Sequence, residues 1–360
     1  MLPSPLAGYS SRIPNLKLSG RMSDPNTLDS LTYILLRYRE LSPSFAFRDD
    51  PTWKPAAKER LIERLGLANV EKVPLHAQIS EPIQRPGYTR RTVVFATREG
   101  MDAIGYFLVP DNTKGPVPVV ICLPGHGRGI DDLVGLDEKG QPRDHHDGYQ
   151  HDFAIQCVEH GYASFALELL GFGHRRDPSA RKAGDSASSC QPASGAALLL
   201  GETMAGWRAW DTMRSIDFLE TRPEIDAKRI AVMGISGGGT VALYAAALDE
   251  RVKAAVLSCS FCTYKDSIFS ISHCIDNYVP GLLRDFEMAD VASLIAPRYL
   301  FCEAGSKDDI FPKEGVKAAL AQVSKAYAAR GAADHVDSEI FEGGHLFHGK
   351  GAFEKLGVWL

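Results

Sequence analysis

The sequence has little that would tie it to nucleic acid or to a membrane. Its 360 residues carry 40 Lys and Arg against 45 Asp and Glu, a formal net charge of −5. No basic surplus is present to meet phosphates or anionic lipid. No apolar run approaches the roughly 18 residues that a membrane span needs. The amino terminus, Met1-Leu2-Pro3-Ser4-Pro5, lacks a basic stretch followed by an apolar one, so no secretory signal is expected. A cytoplasmic location is the simplest reading, with secretion after removal of a signal left open. Cysteine is scarce and unpatterned: Cys122, Cys157, Cys190, Cys259, Cys262, Cys274 and Cys302. An odd number scattered through a long chain is not the framework of a disulfide-stapled module. Cys259 and Cys262 form a C-x-x-C, but no second pair completes a zinc site. Internal repeats and low-complexity segments are missing as well.

What is present is ordinary globular material, 44% hydrophobic and 24% charged. The length suits one large α/β domain with an extension, or two small domains. Charge runs such as Lys58-Glu59-Arg60 mix both signs and read as a solvated helix face. Residues 1–25 are rich in Pro, Ser and Gly and read as an extended arm. Thr27 to Arg39 and Trp53 to Leu67 have helical spacing, the second with Pro55 near its start and Gly66 near its end. We read residues 1–88 as a helical extension or cap on a main domain spanning 89–360.

Strand signals begin at Arg91 to Thr97 and Ala103 to Val109, an antiparallel hairpin turning at Glu99-Gly100. Val117 to Leu123 is almost wholly apolar, as expected of a strand buried on both faces. The pattern then alternates. Helix 152–160 precedes strand 162–169, helix 202–220 precedes strand 229–234, and helix 240–248 precedes strand 252–258. Strand 298–304 precedes helix 313–329, and strand 336–341 precedes a last helix near 351–360. Such alternation predicts a mostly parallel sheet with helices on both faces. Two long connections, 127–149 and 171–200, leave the carboxyl ends of strands, where open α/β sheets build their sites.

Gly234-Ile235-Ser236-Gly237-Gly238 fits G-x-S-x-G, and its context is the informative part. It follows the apolar strand and opens a helical run, so the turn is tight and Ser236 stands above the sheet at a helix amino terminus. A serine hydroxyl needs a base, and the base needs an orienting carboxylate. Asp308 follows a late strand and is the expected acid, with Asp309 as its rival. His345 lies on the Gly-rich turn after the final strand and is the expected base, with His348 as the near alternative. Strand 119–123 runs into Pro124-Gly125-His126-Gly127. The backbone N–H of His126, or alternatively Gly127, is expected to join that of Gly237 in holding an oxyanion, each such donor supplying about 3 kcal/mol to a transition state. The imidazole of His126 is not needed for that role. Glu168 and Arg175, in Glu168-Leu169-Leu170-Gly171-Phe172-Gly173-His174-Arg175, are candidate support residues, read chiefly as fixing the loop. Phe172, Trp207 and Trp210 are candidates for a pocket wall, although Trp at helical spacing is more often core. Asp144, His145, His146, Asp147, His151 and Asp152 form a His/Asp-rich cluster. Its spacing matches no trusted metal pattern, and a polar rim or a helix cap is preferred over a metal site.

The stretches LPGHG at 123–127, ELLGFGHR at 168–175, RSIDFLETRPEIDAKRIAVMGISGGG at 214–239, CIDNYVPGLL at 274–283 and IAPRYLFCEAGSKDDIFP at 295–312, with His345, resemble the α/β-hydrolase superfamily. Over residues 90–360 they look most like its dienelactone-hydrolase-like and acetyl-xylan-esterase-like branch. The resemblance implies an α/β-hydrolase fold and hydrolysis of a small-molecule carboxylic ester through an acyl-enzyme, with no cofactor. The chain departs from dienelactone hydrolases proper in carrying serine where they use cysteine. It also departs from the cephalosporin-deacetylase type of acetyl xylan esterase, whose R-G-Q, G-x-S-Q-G and H-E motifs are here GHGRG, GISGG and His345-Leu346. A thioester, lactone or amide substrate for the same triad, a non-catalytic binding role and assembly into a homo-oligomer are alternatives that the sequence leaves open.

Overall fold

The computed structural model describes residues 30–143, 148–184 and 187–360. Its strands are β1 (Gln78–Ile79), β2 (Ile83–Arg85), β3 (Tyr88–Arg98), β4 (Met101–Pro110), β5 (Val117–Leu123), β6 (Ala163–Leu167), β7 (Ile225–Ile235), β8 (Val252–Ser258), β9 (Tyr299–Gly305) and β10 (Val336–Phe341). Its helices are α1 (Leu31–Arg39), α2 (Trp53–Leu65), α3 (Ile130–Leu133), α4 (Phe153–Glu159), α5 (Pro178–Ala183), α6 (Cys190–Leu199), α7 (Met204–Leu219), α8 (Gly237–Leu248), α9 (Leu282–Asp285), α10 (Met288–Ser293), α11 (Lys313–Ala329) and α12 (Lys350–Trp359). The strands form one sheet in the order β1-β3-β4-β6-β5-β7-β8-β9-β10, with β2 also on β3. Pairing is antiparallel from β1 to β6 and parallel from β6 through β10. This is the α/β-hydrolase fold expected from the sequence.

Alternation along the central strands sends side chains into two cores, one on each face. On β5, Val119, Ile121 and Leu123 join the face covered by α2, α7, α8, α10 and α11. Val120 and Cys122 join the face covered by α3, α4 and α12. Both sets are fully buried, which is why this strand reads as a continuous apolar run. No described helix is long and apolar enough to cross a membrane.

The expected elements from β3 onward are present within a few residues of the expected ends. The exceptions have physical causes. β1 and β2 are two and three residues long, too short for alternation to register. Helix α8 begins at Gly237 rather than Thr240, because the three glycines of poor helix propensity are held helical by their surroundings. The two long connections contain helices: α3 in 127–149, and α5 and α6 in 171–200. Of the helix expected from Thr27, residues 27–29 lie outside the described residues.

Helix α2 is built into the first core: Trp53, Ala57, Leu61 and Leu65 are all buried there. We propose on this ground that the 1–88 segment acts as a brace on the main domain. Removing the fully buried Leu61 side chain, as in Leu61→Ala, is expected to cost about 2–5 kcal/mol. Urea unfolding followed by near- and far-ultraviolet dichroism should show one coincident transition; two transitions would mean that α2 melts separately.

At the carboxyl edge of the sheet, Glu168 is fully buried between two loops. Its carboxylate accepts from the N–H of His174 at 3.0 Å and of Ile130 at 3.4 Å. A Cβ on Gly129 or on Gly173 would lie 2.1 Å from a carboxylate oxygen, so both loops close around this group only as glycine. Burial pushes the carboxyl up to about 7, against the two N–H groups. An unfolded glutamate titrates near 4.3, so between roughly pH 4.3 and 7 the folded chain holds a proton that the unfolded chain lacks. Stability from this group therefore falls as pH rises through that window. Glu168→Gln should remove the fall. At pH 4 or below the variant and the wild type should unfold alike, and at pH 8 the variant should be the more stable, by up to about 3.5 kcal/mol. Parallel stability curves across this range would sink the assignment.

Candidate active site

Ser236 sits between β7 and α8 with φ 54° and ψ −124°, a conformation costly for a side chain bearing a Cβ. Tight packing holds it there. A Cβ on Gly234 would lie 2.3 Å from Gly238 O, and one on Gly238 would lie 2.1 Å from Leu123 O. The turn can therefore close against β5 only with glycine at both positions. The Ser236 N–H donates to Ser258 O at 2.9 Å, tying the elbow to the end of β8. The side chain is 6% exposed, and the helix that follows directs its first N–H groups toward it.

The parallel register carries two further residues to the same edge. Ile235 pairs with Ser258, Ser258 with Glu303, and Phe341 with Gly305, so the loops after β7, β8, β9 and β10 emerge side by side. The loops after β9 and β10 are joined by Ser306 N–H to Phe341 O and Lys307 N–H to Gly343 O, both 2.8 Å. Within this frame His345 Nδ1 lies 2.8 Å from Asp308 Oδ2. The Asp308 side chain is fully buried. Its Oδ1 accepts from the N–H of Ile310 at 2.9 Å and of Phe311 at 3.1 Å, so both oxygens are engaged. The imidazole lies nearly parallel to Tyr149 at 5.8 Å and to Phe311 at 5.9 Å. Nδ1 is thus occupied, and Nε2 is the ring nitrogen left for chemistry.

The alternatives separate cleanly. Asp309 is exposed. His348 stacks on Phe341 and faces Glu339 at 3.1 Å, away from Asp308. Beneath both loops lies Glu303, which the sequence analysis did not single out. It is buried and accepts from Ser258 Oγ at 2.6 Å, His348 N–H at 3.0 Å and Gly349 N–H at 2.9 Å. Burial pushes its carboxyl up.

The Pro124–Gly127 loop is fixed from the 149–150 segment. Gln150 Oε1 accepts from Gly125 N–H at 2.9 Å, and Tyr149 Oη donates to His126 O at 2.6 Å. The His126 imidazole, which the oxyanion role does not require, is part of a buried polar cluster. Its Nε2 is 3.1 Å from Asp276 Oδ2, and its ring meets Phe172 edge-on at 4.7 Å. Asp276 accepts from Arg208 Nη1 at 2.5 Å and from Cys190 Sγ at 3.2 Å. Burial opposes ionisation of Asp276, but the Arg208 charge and His126 hold its carboxyl well below the usual range. Burial likewise opposes protonation of His126, yet the adjacent Asp276 carboxylate and Cys190 outweigh it and push it up to about 9. Burial pushes the neighbouring His273 down to about 4.

Phe172 is buried beneath His126 and under the Arg208 guanidinium, 4.3 Å from the ring centre, so it supports the site rather than lining it. Arg175 pairs with buried Asp211 at 2.7 Å and donates to Glu168 O at 3.3 Å, fixing its loop as expected. Trp207 and Trp210 face elsewhere: Trp207 donates to Glu202 and lies under Arg98, while Trp210 donates to Thr97 O. Of the His/Asp-rich cluster, residues 144–147 lie outside the described residues, and Asp152 pairs with Arg143. Among the described residues, donor atoms close enough to hold a metal ion occur at Cys259, Asp308 and His345, at Glu303, Glu339 and His348, and at His126, Cys190, Cys274 and Asp276, where Arg208 already shares the carboxylate and the Cys190 sulfur.

Comparison with known proteins agrees with this architecture. Residues 31–343 match the model of the Abhydrolase family. A Bacillus subtilis (strain 168) protein named "Putative hydrolase YtaP" is 32% identical over 240 residues, covering 64% of this chain and 74% of that one. The crystal structure of a "putative acetyl xylan esterase" from Bacteroides fragilis superposes with a TM-score of 0.74 at 21% identity, over 91% of this chain and 84% of that chain. A glucuronoyl esterase from Solibacter usitatus does so with a TM-score of 0.63 at 15% identity, over 89% and 98%. At those identities the two structures speak to the fold alone, and it is the match across most of the sequence that places this chain in the Abhydrolase family of α/β hydrolases.

Proposed function

We propose that the chain is a serine esterase that cleaves a small or short-acyl carboxylic ester through an acyl-enzyme. The observation that carries this reading is the Asp308–His345 pair at 2.8 Å, delivered by two hydrogen-bonded loops to the sheet edge that holds Ser236 in its left-handed turn. The similarity to a protein named "Putative hydrolase YtaP" supports a hydrolytic reaction, and the esterase names carried by fold neighbours make esters the substrate class to test first.

In this reading Ser236 Oγ attacks the ester carbonyl while His345 Nε2 takes its proton. Asp308 keeps the proton on Nδ1 and stabilises the imidazolium that forms. The tetrahedral oxyanion is held by the backbone N–H groups of Gly237 and His126, with Gly127 as the alternative donor. Collapse expels the alcohol, which takes the proton back from Nε2. Water then attacks the acyl-enzyme with His345 again as base, releasing the acid and restoring Ser236. The residues involved supply nucleophile, base and oxyanion donors without a cofactor.

Wild type and Ser236→Ala should be compared on p-nitrophenyl esters from acetate to decanoate. The variant is expected to lose at least about 10⁴-fold in kcat and all labelling by a fluorophosphonate. The chain-length optimum of the wild type then sizes the acyl pocket, with an optimum at the short end expected. Retained turnover in the variant would refute the nucleophile. Matched thioester, lactone and amide substrates test the acyl-transfer alternatives. A folded wild type that neither turns over nor labels would favour a binding role.

Asp308→Asn should lower kcat by about 10⁴-fold with little change in KM, because the asparagine presents its amide to Nδ1 and favours the wrong imidazole tautomer. A loss confined to KM would place Asp308 in substrate binding instead.

A further inference from the structure

The His126 side chain is held where a cation is electrostatically out of place. A Cβ on Gly237 would lie 3.2 Å from His126 Cε1 and 3.3 Å from Nδ1, so this edge of the ring lies against the first residue of α8. The amino end of that twelve-residue helix carries partial positive charge. A neutral ring would sit there at no cost, yet the surroundings favour the charged form. Asp276, with a fully buried side chain, stands 3.1 Å from Nε2. The remaining charged and titratable groups facing the ring are Arg208 from α7, Cys190 from α6, and Cys274 and His273 from the segment before Asp276. Arg208 is committed to Asp276 and to Leu170 O, and His273 is neutral near pH 7. Cys190 Sγ lies behind the ring, 3.2 Å from both Asp276 Oδ2 and Arg208 Nη2. Nε2 is buried, while a third of the side chain remains exposed. The ring edge and the helix end are therefore adjacent, and an anion meeting both would be stabilised by both.

We propose that the His126 imidazolium is a substrate-binding group of this esterase site, its Nδ1–H donating to an anionic oxygen of the reacting ester. That oxygen is either the oxyanion developing at the scissile carbonyl or a carboxylate carried by the substrate. The proposal rests on the serine-esterase reading and adds to it a side-chain donor beside the backbone ones.

The test uses the full chain with Ser236→Ala, His126→Gln and Asp276→Asn beside wild type. Three readouts are taken between pH 6 and 10.5: the rate of labelling by a neutral fluorophosphonate, and turnover of p-nitrophenyl acetate and of the p-nitrophenyl monoester of glutaric acid. In the wild type the rate should fall as pH rises through about 9, where His126 loses its proton. This limb should vanish in His126→Gln and move to lower pH in Asp276→Asn. If the oxyanion is the partner, His126→Gln should lower kcat on both esters and slow labelling by about 10²-fold. If a substrate carboxylate is the partner, KM should rise for the glutarate ester alone. His126→Gln leaves the Arg208–Asp276 pair in place, and thermal melting verifies its fold. Should it fail to fold, the wild-type and Asp276→Asn profiles decide by themselves. Rates within about twofold of wild type, or a loss that keeps the alkaline limb, would overturn the proposal. Turnover surviving in Ser236→Ala would instead overturn the esterase reading beneath it.

Discussion

The carboxyl edge of this sheet depends on buried carboxylates satisfied by loop N–H groups, by neighbouring side-chain donors and by fixed cations. An ionised or half-ionised carboxylate in such a place is costly unless its lone pairs are met. Glu303, at the end of β9, meets this need with Ser258 Oγ and the N–H groups of His348 and Gly349. In doing so it draws the loop bearing His345 down onto the strand that precedes Asp308. Glu168, just beyond the end of β6, gathers N–H groups from the loop before α3 and from the turn at His174. Asp276 takes its charge compensation from Arg208 and His126. Each acid binds segments distant in sequence, so each acts as a tie between loops that the hydrophobic core alone would leave free to shift.

The same accounting explains which parts of the site could be read from the sequence. The placement of Ser236, Asp308 and His345 at one sheet edge was readable because each sits in a distinctive local context: a strand-to-helix glycine turn, the end of a late strand, and a glycine turn after the last strand. The choice of Asp308 over Asp309 also has a local cause, since a carboxylate accepting from the N–H groups two and three residues ahead must turn inward. The cluster around His126 has no such signature. Positions 126, 190, 208, 274 and 276 come from four segments with no shared spacing, and Arg208 looks like any charge on a helix until the fold buries it beside Asp276. Glu303 was hidden for the reverse reason: an acid within an apolar strand looks incidental until the loops above it are seen to lack other partners. The helices α3, α5 and α6 escaped notice because short segments rich in small and turn-forming residues have little periodicity to read.

One residue couples the two halves of the site. Tyr149 lies parallel to the His345 ring, donates to His126 O, and accepts at its own carbonyl from Phe347 N–H at 2.7 Å. Its neighbour Gln150 holds Gly125 N–H. The His345 loop and the Pro124–Gly127 loop are therefore positioned by one short stretch at the end of the 127–149 connection. Any shift of that stretch moves both together. The 171–200 connection has a looser link. It reaches the site through Phe172 and Cys190, behind His126, and its outer turn ends in the exposed Leu199 and Leu200. Changes in that outer part can reshape the surroundings of the substrate without displacing His345 or the backbone donors. The first connection is hydrogen-bonded to both the His345 loop and the Pro124–Gly127 loop, whereas the second meets His126 through the Phe172 ring and the Cys190–Asp276 contact and meets the first connection through Glu168 and the His174–Asp131 pair.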